Sequence, residues 1–248
     1  RQAQALSLGD AALSDPAPRA KAGASAAEGS ARAAAPDVSL VLKDVVQEYP
    51  SPGGGVTRVV DGLNLGIDRT GINVLLGPSG CGKSTILRMM GGVRPLGVRT
   101  PTSGTILIDG APCDGPHDDA VMVFQHYANR PDLTVFDNVA FPFRLALWRR
   151  RVREPEWRTR TGEMLESVGL ADKRGLYPAQ LSGGQNQRVA LARALVLKPR
   201  ILLMDEPFGA LDAQTREEMQ KLLIRLHDSR PCLIVFVTHD VTEALVLA

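Results

Sequence analysis

Residues 74–85 read Val-Leu-Leu-Gly-Pro-Ser-Gly-Cys-Gly-Lys-Ser-Thr, and this stretch decides the fold. Val74, Leu75 and Leu76 form a short apolar run of the kind that suits a strand covered on both faces. Behind it, Gly77, Pro78, Ser79, Gly80, Cys81, Gly82, Lys83, Ser84 and Thr85 match the phosphate-loop pattern G-x-x-x-x-G-K-[ST]. Three glycines allow a tight loop whose backbone N–H groups all turn inward. A helix starting near Lys83 adds its positive end to the same spot. Lys83 then offers a point charge to the β- and γ-phosphates, and the Ser84 hydroxyl a hard oxygen for Mg²⁺. Strand, loop and helix in this order imply a site for a nucleoside triphosphate.

Working outward, short β-rich runs alternate with helical stretches. Val38–Leu42 is a candidate strand, and Leu63, Leu65 and Ile67 alternate with period two. Ile106–Ile108, Val121–Phe124, Ile201–Met204 and Leu233–Val237 are further apolar runs. Met219, Leu222, Leu223 and Leu226 lie on one face of a helix that Glu217 and Glu218 should open near its positive end. Helices between buried strands imply crossover connections and an α/β fold with a mostly parallel sheet. Ligands of such sheets bind beyond the carboxyl ends of the strands. At one such end stand Asp205 and Glu206, directly after Ile201–Met204. Asp205 suits Mg²⁺ held through a water, and Glu206 suits acceptance of a proton from an attacking water.

Phosphate loops serve many chemistries, so the class rests on other residues. The chain has no Asn-Lys-x-Asp run for reading guanine. It does have Leu181, Ser182, Gly183, Gly184 and Gln185 ahead of a helix expected to run to Lys198 and stop before Pro199. Ser182 caps that helix, and the two glycines leave first-turn N–H groups bare. A second anion-binding helix start in one domain suggests that it serves the nucleotide of a partner subunit. A kinase of the phosphate-loop class would leave Leu181–Gln185 without a purpose.

From about residue 38 to 248 the chain resembles the ATP-binding cassette (ABC) family. The resemblance rests on the phosphate loop, the acidic pair and the Leu181–Gln185 signature, and further family marks follow in order. Gln125 resembles the lid glutamine that reaches Mg²⁺ and the water. Phe208, Gly209, Ala210, Leu211 and Asp212 resemble the loop that crosses the dimer interface. His239, within Thr238-His239-Asp240, resembles the switch histidine at the γ-phosphate, and Tyr49 the aromatic residue that stacks on adenine. The resemblance implies a P-loop NTPase core, an antiparallel β subdomain and an inserted α-helical subdomain over about residues 126–198. It also implies ATP and Mg²⁺ as ligands, a catalytic set of Glu206, His239, Gln125 and Lys83, and metal contacts from Ser84, Gln125 and Asp205. Two cassettes pair head to tail, a homodimer in the simplest case, so each ATP lies between one phosphate loop and the other subunit's signature.

Family members of this type take up solutes, and the stretch Asp205–Arg216 most resembles cassettes for nitrate, sulfonate or taurine. No apolar run approaches the length of a membrane span, so separate permease subunits are implied, with a solute-binding protein acting indirectly. That places the chain at the cytoplasmic face of the inner membrane as a peripheral subunit. The alternatives are a soluble ABC ATPase acting on DNA or ribosomes, and an exporter ATPase for lipid or drug. A net charge of +2 and 4% aromatic residues give no call for nucleic acid. Three cysteines, Cys81, Cys113 and Cys232, with no C-x-x-C spacing, exclude a disulfide scaffold and favour a reducing compartment.

Residues 1–36 hold 14 alanines broken repeatedly by Gly and Pro, which reads as a disordered tail ahead of a domain over 37–248. The resemblance sets a further strand and helix after His239, so the domain's C-terminal end reads as truncated. Two features depart from expectation. The groove after Gln125 is polar, through Asn129, Arg130 and Asp132, which suggests a charged docking helix on the partner. Seven arginines (Arg144, Arg149, Arg150, Arg151, Arg153, Arg158, Arg160) surround Trp148 and Trp157. A solvated helical face with partly packed tryptophans is the plain reading; anionic headgroups or nucleic acid are the other.

Overall fold

Two sheets divide the strands by their chemistry in the computed structural model, which describes residues 5–7, 39–51, 53–67 and 70–248. Strands β1 (Ala5–Ser7), β4 (Gly71–Leu76), β7 (Ala120–Val123), β8 (Ile201–Asp205) and β9 (Leu233–Thr238) form one sheet in the order β1-β4-β9-β8-β7, every pair parallel. Strands β2 (Leu40–Pro50), β3 (Val56–Ile67), β5 (Ser103–Ile108) and β6 (Ala111–Pro112) form an antiparallel sheet ordered β3-β2-β5-β6.

The parallel sheet is the buried one. Along β8, Ile201 and Leu203 face one core cluster, while Leu202 and Met204 face the other. On β9 the same alternation sends Leu233, Val235 and Val237 one way and Ile234 and Phe236 the other. Successive side chains of a strand point to opposite faces, so a continuous apolar run fills two cores at once. The first core holds helix α1 (Lys83–Met90) and the antiparallel sheet. The second holds the helical part, α2 (Val135–Ala140), α4 (Glu156–Ser167) and α5 (Gly183–Leu195), with α6 (Ala213–Ser229) and α7 (Val241–Leu247). Between α2 and α4 runs α3 (Ala146–Arg151), which buries none of its residues. Among the described residues no helix is long and apolar enough to cross a membrane.

Several sequence expectations shift. The tail reading of 1–36 gives way at Ala5–Ser7, whose backbone pairs with Val74–Leu76; the rest of that segment, with Val38, lies outside the described residues. Glu217 and Glu218 do not open α6. Asp212 caps it by accepting from the Thr215 N–H, and the first turn holds no acid. Helix α5 ends at Leu195 rather than Lys198, because Lys198 takes a left-handed conformation (φ 56°) that turns the chain into β8.

The polar stretch after Gln125 is partly tied into the fold, while Arg130 and Asp132 stay exposed. Asn129 donates to the Asn186 carbonyl and side chain on α5 at 2.9 and 3.0 Å. Fully buried Asn138 ties the loop down through the carbonyls of Arg130, Leu133 and Thr134. Arg130 and Asp132 pair with each other at 2.7 Å. Their charges are spent locally, and the neighbouring cavity of 190 Å³ is walled mainly by apolar groups such as Val121, Phe124, Pro142 and Leu145. An apolar wall thus accompanies the exposed Arg130–Asp132 pair.

Candidate functional site

The phosphate loop leaves β4 and enters α1 with Gly80 at φ 83° and Gly82 at φ 100°, conformations that side chains with a Cβ resist. Gly82 is the N-cap of α1 and supplies no side-chain cap, so the helix start offers bare N–H groups to the loop. A Cβ on Gly82 would stand 3.1 Å from the Val59 carbonyl, which shows how closely β3 approaches. Tyr49 of β2 lies opposite Thr57 in the adjoining register and is half-buried. Tyr49 thus pairs with the strand that approaches the loop, two positions before Val59.

Lys83 is nearly fully buried, and its ammonium donates to the carbonyls of Gly77 and Pro78, both at 2.8 Å. Its third neighbour is the Glu206 carboxylate at 3.9 Å. The lysine is therefore held across the mouth of the loop. The Ser84 hydroxyl donates to Asp205 Oδ1 at 2.6 Å, and Arg88 of α1 approaches Asp205 Oδ2 at 3.8 Å. Alternation along β8 explains this contact. Asp205 follows Ile201 and Leu203 on the α1 face, so a strand-end carboxylate meets a helix-start hydroxyl.

Glu206 lies just past the strand and behaves differently. Its φ is 44°, a left-handed conformation that costs a residue with a Cβ roughly 1–2 kcal/mol. The Glu206 N–H donates to the Val237 carbonyl at 3.1 Å, holding the turn against β9. That turn carries its carboxylate to His239, where Nδ1 donates to Oε2 at 3.0 Å. Gln125 joins the same spot: a Cβ built on Gly209 would stand 3.9 Å from both Gln125 Nε2 and Glu206 Oε2. Lys83, Glu206, His239 and Gln125 are thus brought together, with Ser84 and Asp205 beside them.

Ser182 to Gln185 form a separate structure. The Gln185 N–H donates to Ser182 Oγ and the Ser182 N–H to Gln185 Oε1, a reciprocal capping box at the start of α5. Among the described residues no hydrogen bond joins this tip to residues 77–85. Its glycines serve packing as well: a Cβ on Gly184 would fall 2.4 Å from Thr215 Cγ2 on α6. Asp212, the cap of α6, is held below the usual carboxylate range first by the Thr215 hydroxyl and then by its N–H.

Sequence reasoning missed the arginines that bind these pieces together. Arg193 donates to the carbonyls of Tyr127 and Ala128 at 2.6 and 2.9 Å, joining the segment after Gln125 to α5. Arg216 donates to the Leu211 carbonyl at 2.9 Å and lies 3.6 Å from Asp240, linking the 208–212 loop to α7. Either could have been suspected only as an arginine on a helix; Arg193 reaches carbonyls distant in sequence, and Arg216 reaches a distant carboxylate at Asp240.

Fold and site together define a phosphate-loop nucleotide-binding domain. The family model described as "ABC transporter" matches residues 60–209, and the chain belongs to that family, as its ATPase domain. A sulfate/thiosulfate import ATP-binding protein of Pseudomonas aeruginosa is 46% identical over 215 residues, covering 85% of this chain and 62% of that protein. A taurine import ATP-binding protein of Chromobacterium violaceum is 43% identical over 210 residues, covering 85% and 76%. Among solved structures, the dimeric structure of MJ0796, a bacterial ABC transporter cassette, is 34% identical with a TM-score of 0.70, covering 84% of this chain and 90% of that one. A second structure of MJ0796 is a dimeric post-hydrolysis state bound to ADP and Pi, with the same similarity. The chain spans about 59–62% of the length of the sulfate/thiosulfate relatives named first in the comparison.

Proposed function

We propose that the chain is the ATP-hydrolysing subunit of an importer for a small sulfur oxyanion such as sulfate, thiosulfate, a sulfonate or taurine. The observation that carries the hydrolytic part is the Glu206 carboxylate, held between His239 and Lys83 where the parallel strands end over a glycine-rich helix start. The oxyanion class is supported by the import ATP-binding relatives for sulfate/thiosulfate and taurine, and nitrate, also expected from the sequence, is likewise a small oxyanion.

The loop N–H groups and Lys83 receive the triphosphate, with adenine against Tyr49. Ser84 and Asp205, two hard oxygens already 2.6 Å apart, fit a Mg²⁺ ion and would hold it. When bound, that ion neutralises charge on the β- and γ-oxygens. Glu206 takes the proton of the attacking water as its oxygen bonds to the γ-phosphorus and the bond to ADP breaks, releasing phosphate. His239 fixes Oε2 of Glu206, which leaves Oε1 toward Lys83 and the phosphate. Gln125 faces the same carboxylate and orients the water.

The N–H groups of Gly183 and Gly184 open the first turn of α5, and a second copy's γ-phosphate suits them. ATP then joins two copies, and its hydrolysis releases them. In this reading the apolar groove beside Phe124 and Leu145 receives a separate membrane subunit, and the chain works at the cytoplasmic membrane face. A solute-binding protein contributes at the other face, and nucleic acid has no role. In a steady-state ATPase assay, Lys83→Ala should abolish turnover. Glu206→Gln should keep ATP binding and slow turnover by ~10² or more; turnover at the native rate in that variant would refute the assignment.

A further inference from the structure

Helix α3 is an apolar and basic segment with no fully buried residue: Trp148 packs partly against the helical core, and the rest of the helix is exposed. Leu145 at its cap is 49% exposed and Leu147 is 41% exposed. Around it, each neighbouring acid already has a basic partner. Asp118 pairs with Arg151, Asp137 with Arg144, Glu154 with Arg158 and Glu156 with Arg160. Arg149, Arg150 and Arg153 are exposed and have no acidic partner among the described residues. Two of them, with Arg144, rim a cavity of 420 Å³ whose floor includes Phe143 and Trp157 and whose one acid is the already paired Glu154.

We propose that this face docks onto anionic lipid, with Arg149, Arg150 and Arg153 taking headgroup phosphates and Leu147 entering the boundary with the acyl chains. Surplus arginine beside exposed leucine is the composition of a segment lying in a membrane interface. Nucleic acid fits poorly, because the tryptophans are not free for stacking. Trp157 packs against Phe136 and Phe143 under the Arg158 guanidinium, and Trp148 lies under Arg151. Continuity favours lipid as well: Leu145 also lines the groove assigned to the membrane subunit, so the two surfaces adjoin. The inference rests on the reading that the chain works against a membrane.

The test is co-sedimentation of the purified chain with protein-free vesicles of phosphatidylcholine, alone or mixed with phosphatidylglycerol. Binding should be about tenfold or more tighter on the anionic vesicles and should fall as salt rises. Arg149→Glu with Arg153→Glu should lower it about tenfold or more, and Leu147→Ser should lower it without changing its salt dependence. ATP binding, read in parallel, should stay native in all variants and confirms folding. Equal binding to neutral vesicles, no binding at all, or native binding by the arginine variant would overturn the proposal. None of these results bears on hydrolysis, whose failure would be read separately in the native chain's ATPase rate.

Discussion

Asp205 and Glu206 are adjacent carboxylates with different surroundings, and a backbone rotation separates them. Asp205 keeps the strand's alternation and faces Ser84, whereas Glu206 leaves the strand through a left-handed turn toward His239. The sequence made the pair and its strand legible, but not the turn. A positive φ at a glutamate follows from the surrounding packing, with no residue preference to announce it. The same holds for Arg193, whose burial pulls its guanidinium below the ordinary value while it holds two loop carbonyls. Cysteine chemistry is also decided by position. Burial pushes the Cys232 thiol up to about 12, whereas Cys81 sits half-exposed on the phosphate loop. At pH 8 only about 10⁻⁴ of a thiol with that pKa is ionised, and the thiolate is the nucleophile. Alkylation by iodoacetamide, read by peptide mass spectrometry, should therefore modify Cys81 in the native chain and spare Cys232. Equal labelling of the two would contradict the buried environment.

Among the elements, the parallel strands were the most legible, because a continuous apolar run of three to five residues between turn signals has few other uses. Val74–Leu76, Ile201–Met204 and Leu233–Val237 all fall inside observed strands. Helix ends were less legible: Asp212 and Lys198, not Glu217 and Pro199, set the limits of α6 and α5. Packing between elements could not be read at all. The Gly184–Thr215 approach joins the two helices at a point where sequence shows only a glycine and a threonine 31 positions apart. Gly184→Ala should force α5 and α6 apart and cost about 1–3 kcal/mol in a denaturant titration. Thr215→Ser removes the clashing methyl while keeping the hydroxyl bond to Asp212, so the double variant should recover most of that loss. No recovery would place the strain elsewhere.

For the molecule as a whole, the site is divided into two parts that do not meet within one chain. The phosphate loop, acidic pair and histidine gather at the carboxyl ends of the parallel strands. The Ser182–Gln185 tip stands on the helical part, connected to the 208–212 loop through Gly184 and Thr215. Among the described residues no hydrogen bond joins the tip to the phosphate loop, so in the proposed reading a second copy supplies the phosphate, and slow hydrolysis should trap that state. Sedimentation velocity of the Glu206→Gln chain, with and without ATP and Mg²⁺, is the most direct measurement. The account predicts a monomer without nucleotide and a dimer with it, the dimer being lost when Ser182→Arg blocks the tip. A Glu206→Gln chain that binds ATP yet remains monomeric at every concentration would contradict it.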